Sequence, residues 1–382
     1  MKNFWLGLII LISAYFVRYI FAFHSGLPFI STDTYNYIEM AKGIIQFNPL
    51  SFFPNGYPII ISFFFALFSE SLAIEFLRHL NVLLSSFIVL IVFFLSQKLN
   101  KKIAIISTII IMFWPNQLNY SRQLLSEVPS TFFMILGIYL LTKKSLYSNF
   151  FGGATIAFAS IIRSTILPVG IFFIIFAWVN QLKKLGDVSF TKSQSFLLTL
   201  GFILVIIIEL IFIIFGFLSY SSNLDANLSL SVNDISTQYS VGYQISGSLN
   251  AKQYYLQFML SEPIDFIRLR INSFWELWGP WPQVDGATRS LFSKLIIGLR
   301  FPLFLIAIVG YVICMKDQTI GTERKKIIYL ISIPIILISL LHILFFSTPR
   351  FSFSMEPFVI IFASITLYRF IGLIFKNRIN NK

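Results

Sequence analysis

Apolar positions along this chain are strung into long runs, and polar positions are confined to the stretches between them. A helix needs roughly 20 mostly apolar residues to cross the hydrocarbon core of a bilayer. On that measure the runs predict helices near 4–23, 72–96, 103–119, 126–142, 150–165, 166–182, 194–218, 294–315, 327–346 and 354–375. The fifth and sixth are divided only by the break from Ser164 to Pro168. One further segment, Tyr57 to Phe68, is apolar but short and begins with Pro58. Were it to cross, the basic cluster after it would fall on the wrong side, so it is predicted to lie at the outer interface as a juxtamembrane helix. Met1 to Phe23 is longer than a usual signal-peptide core and lacks a small-residue cleavage site, which predicts a retained first helix.

The polar stretches fix the orientation. Lys98, Lys101 and Lys102 form one cluster, followed by Lys143 with Lys144, Lys183 with Lys184, and Arg324 with Lys325 and Lys326; Lys376, Arg378 and Lys382 close the chain. Every second loop is basic, and Lys2 lies on the same side. The positive-inside rule makes that side cytoplasmic, with both termini inside. Two substantial outer loops result, 24–71 and 219–294, the second rich in Ser, Asn and Gln and ending in an aromatic stretch. No repeat, low-complexity tract or linker divides the chain, so residues 1–382 are predicted to form a single transmembrane domain.

Composition agrees. The hydrophobic fraction is 57%, the charged fraction 12% and the mean hydropathy +0.80, against about 25% charged residues in a soluble domain. The fold class expected is an all-α integral membrane protein of about ten transmembrane helices, with 45 Phe and 16 Tyr suiting a membrane body with aromatic interfaces. The net charge of +13 is scattered over short loops rather than gathered on one face, which excludes nucleic acid as a partner. Cys314 is the only cysteine, so neither an intrachain disulfide nor a thiolate metal cluster can form. His24, His79 and His342 are scattered without metal-ligand spacing.

Candidate chemistry gathers at the outer side, where Asp33, Glu39, Arg122, Glu127, Arg163 and Arg350 fall at or just below the surface. Charges there are costly and tend to be paired or functional. Asp33 belongs to a short amphipathic helix, in which Ser31, Thr32 or Asp33 could simply cap the first turn; the other reading makes Asp33 a general base at the membrane surface. Glu127 follows Ser126 and precedes Pro129, a plain helix start with Ser126 as cap. Arg163 either snorkels to the interface or binds an anion. Arg350 suits bidentate phosphate binding but could equally pair with Glu356. Trp275, Trp278 and Trp281 fit an interfacial belt, with stacking on a sugar or headgroup as the alternative.

In their order and shared side of the membrane, these pieces resemble the polytopic GT-C glycosyltransferases, most of all the branch holding protein O-mannosyltransferases and lipid A aminoarabinose transferases. The resemblance rests on Asp33-Thr-Tyr-Asn-Tyr-Ile-Glu-Met-Ala41 after the first span, the Pro-rich Phe53-Pro-Asn-Gly-Tyr-Pro-Ile59, Ser121-Arg-Gln-Leu-Leu-Ser-Glu127, Arg163, and Pro349-Arg-Phe-Ser-Phe-Ser-Met-Glu-Pro357. The first-loop acid is single, with Thr34 where many members carry a second, and Phe351 follows Arg350 where Tyr is common. The resemblance implies transfer of a sugar from a polyprenyl-phosphate carrier to an acceptor hydroxyl at the outer membrane face, with inversion. It implies Asp33 as the base, Glu127 and Glu39 at an acceptor or metal site, and Arg163 and Arg350 on the lipid phosphate. Tyr35, Tyr37 and Trp278 become candidate sugar or acceptor contacts. A divalent cation, Mg or Mn, held by Glu127 is the one cofactor it suggests. The partners implied are the lipid-linked donor, a glycan, lipid or protein acceptor, and membrane lipids.

Two other classes are weighed against it. A transporter or lipid-linked glycan flippase would suit ten helices, but no repeat and no pair of matching broken helices is found. An O-antigen-type polymerase or ligase is expected to lean on Arg and His in its large outer loop, and here that loop has Arg268, Arg270 and Arg289 but no His. Size and the lack of retention signals point to a prokaryotic plasma membrane.

Overall fold

The computed structural model describes residues 2–26, 29–183, 190–221, 228, 231, 251–280, 298–317 and 319–380. Every regular element among them is helical. In chain order these are α1 (Lys2–His24), α2 (Thr32–Ile45), α3 (Gly56–Leu67), α4 (Glu70–Leu99), α5 (Lys101–Phe113), α6 (Pro115–Ser121), α7 (Glu127–Leu141) and α8 (Leu146–Ile162). They continue with α9 (Leu167–Lys183), α10 (Lys192–Ile214), α11 (Ala251–Ser261), α12 (Pro263–Trp278), α13 (Arg300–Lys316), α14 (Thr322–Leu344) and α15 (Glu356–Asn380). Single 3-10 turns stand at Ser164–Ile166 and Pro349–Ser352.

Each of the ten predicted segments holds a helix, but their lengths divide them. Six are long and apolar enough to cross a membrane: Phe4–His24, Glu70–Leu99, Ser164–Gln181, Lys192–Ile214, Thr322–Leu344 and Glu356–Leu373. The chain is an integral membrane protein whose described residues form no regular element other than helix. Shorter helices fill the other four segments. The 15 residues of α7 rise about 22 Å, less than the ~30 Å hydrocarbon core. The predicted juxtamembrane segment forms α3, a helix of 12 residues.

The shortening has a local cause. The predicted helix 103–119 stops at Phe113 because Pro115 cannot donate a helical hydrogen bond and holds Trp114 in an extended conformation (φ −64, ψ 118). From there to Ser126 the chain makes only the short α6 and a turn, much of it buried. Irregular backbone at membrane depth persists only where protein groups satisfy it. Two buried side chains do so. Arg18 of α1, with no exposed surface, donates to the carbonyls of Ile111 and Met112 at 3.2 and 3.3 Å and to Ser85 at 2.7 Å. Asn81 of α4 sends its amide to the carbonyls of Tyr120, Ser121 and Gln123 at 3.0, 2.9 and 2.9 Å.

Helices α8 and α10 meet through small residues, as membrane helices do when backbones must approach closely. A Cβ placed on Gly153 would lie 2.1 Å from the Leu198 carbonyl, and one on Gly201 would lie 2.1 Å from that of Phe150.

The two ends of the bundle differ in character. At one end Lys98 donates to the carbonyl and hydroxyl of Thr142 at 3.1 and 2.7 Å, Lys144 pairs with Glu323 at 3.1 Å, and Lys326 sits 3.9 Å from the centre of the Phe190 ring. The predicted cytoplasmic loops therefore converge. At the other end stand α2, α3, the 114–126 segment and the two 3-10 turns. Of the predicted loop 219–294, residues 222–227, 229–230, 232–250 and 281–294, with Trp281, Arg289 and Lys294, lie outside the described residues, as do Lys184 and Lys382.

Gly201→Val drives a side chain into the Phe150 carbonyl and is expected to destabilise the bundle by about 1–3 kcal/mol, the ordinary cost of overpacking. A lowered melting temperature in detergent checks this; an unchanged one would show that α8 and α10 can part freely.

Candidate functional site

The site begins with the cap of α2. Ser31 accepts from the Thr34 amide at 3.4 Å while the Thr34 hydroxyl accepts from the Ser31 amide at 3.0 Å, a reciprocal capping box. Capping thus falls to Ser31, and Asp33 in the first turn is left for another role. The next residues moor α2 to the segment before α7. Thr34 donates to the Leu124 carbonyl at 3.1 Å and Tyr37 to the Ser126 hydroxyl at 3.0 Å. Tyr37 is wedged between Phe53 and Tyr57, with ring centroids 4.5 and 5.0 Å away. Ser126 makes no capping bond, contrary to the expected helix start: its own backbone is already helical (φ −69, ψ −13) rather than in the extended geometry of a cap, and its hydroxyl instead accepts from Tyr37.

This mooring sets Asp33 opposite Glu127, the first residue of α7, which is fully buried. Its Oε1 accepts from Arg163 Nη1 at 2.8 Å and from Arg350 Nε. Arg350 Nη1 donates in turn to Asp33 Oδ2. Four of the residues singled out in the sequence, drawn from positions 33, 127, 163 and 350, thereby form one network. Arg163 stands in the break between α8 and the Ser164–Ile166 turn, with an extended backbone (φ −146, ψ 107) and its guanidinium 5.1 Å from the centre of the Phe351 ring. Close packing holds that break in place: a Cβ on Gly56 at the start of α3 would meet the Ile162 amide nitrogen at 2.6 Å.

The Pro349–Ser352 turn that delivers Arg350 is anchored from below. Arg300 Nη1 donates to the carbonyls of Leu277 and Pro349, both at 2.8 Å, and to the Ser352 hydroxyl at 3.1 Å. Glu356, with no exposed surface, accepts from Asn116 at 2.6 Å and Gln117 at 2.9 Å. The alternative pairing of Arg350 with Glu356 is therefore not formed.

Electrostatically the network is two carboxylates and two guanidinium groups. Burial works against the charge on Arg350, but the Glu127 carboxylate beside it, with Asp33 adding to the same effect, holds its proton affinity well above the ordinary arginine value. The cluster has a closed and an open pole. The side chain of Glu127 is 0% exposed and that of Arg163 11%, whereas Arg350 and Asp33 expose 28% and 30%. A ligand would meet Asp33 and Arg350 first.

Several expected site residues fall elsewhere. Glu39 is exposed and pairs with Lys42 at 3.3 Å, on the outer surface of α2 rather than in the network. Tyr35 is 61% exposed and its hydroxyl makes no hydrogen bond to the cluster, whereas Tyr37 acts as a strut. Trp278 is no sugar platform: it is 1% exposed, stacks on Phe304 at 4.3 Å and donates to Ser339 at 3.2 Å, so both faces of its chemistry are spent in the core. Arg122 turns back to Asn119, at 2.8 and 3.2 Å.

The metal expectation does not fit these residues. A divalent cation needs several oxygen ligands at about 2.0–2.6 Å. Glu127 receives both guanidinium groups on Oε1 and leaves Oε2 without a hydrogen-bond partner, but a dication on this one carboxylate would lie against two guanidinium charges. Among the described residues no three His, Cys, Asp or Glu are gathered.

Sequence reasoning missed the supports: Arg18, Asn81 and Arg300, and the amides on Glu356. Arg18, Arg300 and Glu356 each lie inside a predicted span, and an ionisable residue inside a span is itself the signal. Removing Glu127 takes from Arg163 its ion-pair partner among the described residues and leaves Arg350 with Asp33 alone. Glu127→Ala is expected to cost about 3–5 kcal/mol, as for one partner of a buried pair, read as a large drop in melting temperature in detergent. A small drop would mean that lipid or water already carries the arginines.

The fold can be set beside solved proteins. The chain superposes on an oligosaccharyltransferase of Archaeoglobus fulgidus in its apo form with a TM-score of 0.57 and 16% identity, covering 98% of this chain and 52% of that one. It superposes on the oligosaccharyltransferase AglB of the same organism, solved with an inhibitory peptide and dolichol-phosphate, with a TM-score of 0.53 and 13% identity, covering 100% and 52%. The chain thus spans about half the length of the solved chains it matches. No protein-family model matches it, and no curated protein matches it by sequence. What the likeness establishes is the fold alone, shared with about half of each of these solved oligosaccharyltransferase chains.

Proposed function

We propose that the chain is a glycosyltransferase that moves a sugar from a polyprenyl-phosphate carrier to an acceptor hydroxyl, with inversion. The observation that carries this reading is the placement of Asp33 beside Arg350 at the open pole of the cluster, within a GT-C fold. The acceptor oxygen attacks the anomeric carbon of the donor. As that bond forms, the bond from the carbon to the phosphate oxygen breaks, and the electron pair leaves with polyprenyl phosphate. The acceptor proton passes to Asp33. Phosphate is a competent leaving group, so a cation beside it matters more than a general acid; Arg350 supplies that charge, with Arg163 behind it.

The remaining particulars belong to the same proposal. The six long helices and four shorter ones together make ten spans in a single domain, with the clustered lysines and both termini in the cytoplasm and the cluster on the outer face. A prokaryotic plasma membrane suits this arrangement. The acceptor is a protein, lipid or growing glycan; the dolichol-phosphate and peptide held by one structural neighbour favour a lipid-phosphate donor and leave room for a peptide.

Asp33→Asn is expected to lower transfer by about 10²–10⁴-fold, the usual range for a lost base, while leaving the fold intact, since Ser31 and Thr34 retain the cap. The assay is release of polyprenyl phosphate from a panel of lipid-phosphate sugars by purified protein with mixed acceptors. Near-normal release by the variant would remove Asp33 from the base role. Arg350→Ala is expected to raise the apparent KM for the donor; an unchanged KM would count against its contact with phosphate.

A further inference from the structure

The cluster is charge-balanced before any ligand arrives. Asp33 and Glu127 contribute two negative charges, and Arg163 and Arg350 two positive ones. A phosphate approaching it in this state meets no net attraction. For the arginines to receive an anion, one carboxylate must give way.

The two carboxylates are not equally held. Glu127 is wholly buried and gripped by both arginines, so its release would strand a charge away from water. Asp33 has 30% of its side chain exposed and stands at the open pole, on an outer helix whose cap and moorings do not involve its carboxylate. Among the described residues its ion-pair partner is Arg350. Arginine grips an anion with two parallel N–H groups. On Arg350, Nε is committed to Glu127 and Nη1 donates to Asp33. A phosphate held by both terminal nitrogens of this guanidinium competes with Asp33 for Nη1.

We propose that Asp33 is an internal stand-in for the donor phosphate. It occupies Arg350 in the resting protein, the phosphate of the polyprenyl carrier displaces it, and the displaced carboxylate then faces the acceptor as the base. Donor binding and base release are one exchange at one guanidinium. This deepens the proposed function and rests on it.

Neutralising Asp33 then has two opposite effects: transfer is lost and phosphate binding is strengthened. A residue that served only as a base would show the first effect alone. One that served only to hold Arg350 in place would weaken binding when removed. The full chain in detergent is titrated with polyprenyl monophosphate, following intrinsic tryptophan fluorescence. Wild type is compared with Asp33→Asn, Asp33→Ser, Arg350→Gln and the Asp33→Asn/Arg350→Gln double variant, with melting temperatures recorded for each. Both Asp33 variants are expected to bind about tenfold more tightly than wild type, equivalent to ~1.4 kcal/mol. Arg350→Gln is expected to bind more weakly, and the double variant to match it, because the gain acts through that guanidinium. Folded Asp33 variants with wild-type or weaker affinity would overturn the exchange while a transferring wild type left the functional reading standing. A wild type that neither binds polyprenyl phosphate nor releases it from any donor would remove the functional reading and the exchange together.

Discussion

A carboxylate buried at the start of a membrane helix is the constraint on which the rest of this structure turns. Glu127 has no access to water, and an ionised carboxylate in that position must be compensated by charge and hydrogen bonds or it will not remain ionised. Its two counter-charges come from positions 163 and 350, remote in sequence. Bringing them together requires α8 to end at Ile162 and the last helix to be preceded by a turn. The breaks that shorten these helices follow from the same requirement that assembles the site.

Breaking helices at membrane depth creates a second problem, because the freed carbonyl groups have no water to turn to. The structure meets it with polar side chains sent inward from otherwise apolar helices. Arg18 covers the end of α5, Asn81 the end of α6, and Arg300 the turn that carries Arg350. Asn116 and Gln117 on α6 then bind Glu356 at the head of α15, so the interrupted segment also becomes a joint between helices. None of these groups touches the open pole of the cluster. They fix the backbone from which Asp33 and Arg350 project, which is how a site on turns keeps its geometry.

The sequence displayed the helices well because long apolar runs are a strong signal, and it displayed the cluster because isolated charges at one face of a membrane protein stand out. Asp33, Glu127, Arg163 and Arg350 were legible for that reason. Helix lengths were not, since hydropathy does not register whether the last turn of an apolar run is helical; only Pro115 marked where α5 stops. Trp278 misled because an aromatic residue near a predicted interface has the same local signature whether it faces lipid, sugar or core, and its partners Phe304 and Ser339 are distant in sequence. Glu39 misled in a similar way: six residues past Asp33, it shares the helix but not the face that meets Glu127, and Lys42 within its own helix takes it.

The single acid at the head of α2 has its own physical reason. Thr34, where a second acid would stand, has no exposed surface, and its hydroxyl donates to the Leu124 carbonyl. An ionised acid there could not donate, and its charge would face a carbonyl oxygen in a buried position, an unfavourable pairing on both counts. The hydroxyl also accepts from Ser31 and so completes the cap of the helix that carries Asp33. Thr34 therefore secures the mooring of α2 at a place where a second carboxylate would undo it. With two guanidinium groups in the cluster, one acid from α2 and one from α7 are also the number that leaves it neutral. A third carboxylate without a third cation would give the cluster a net negative charge and make its open pole repel any anion.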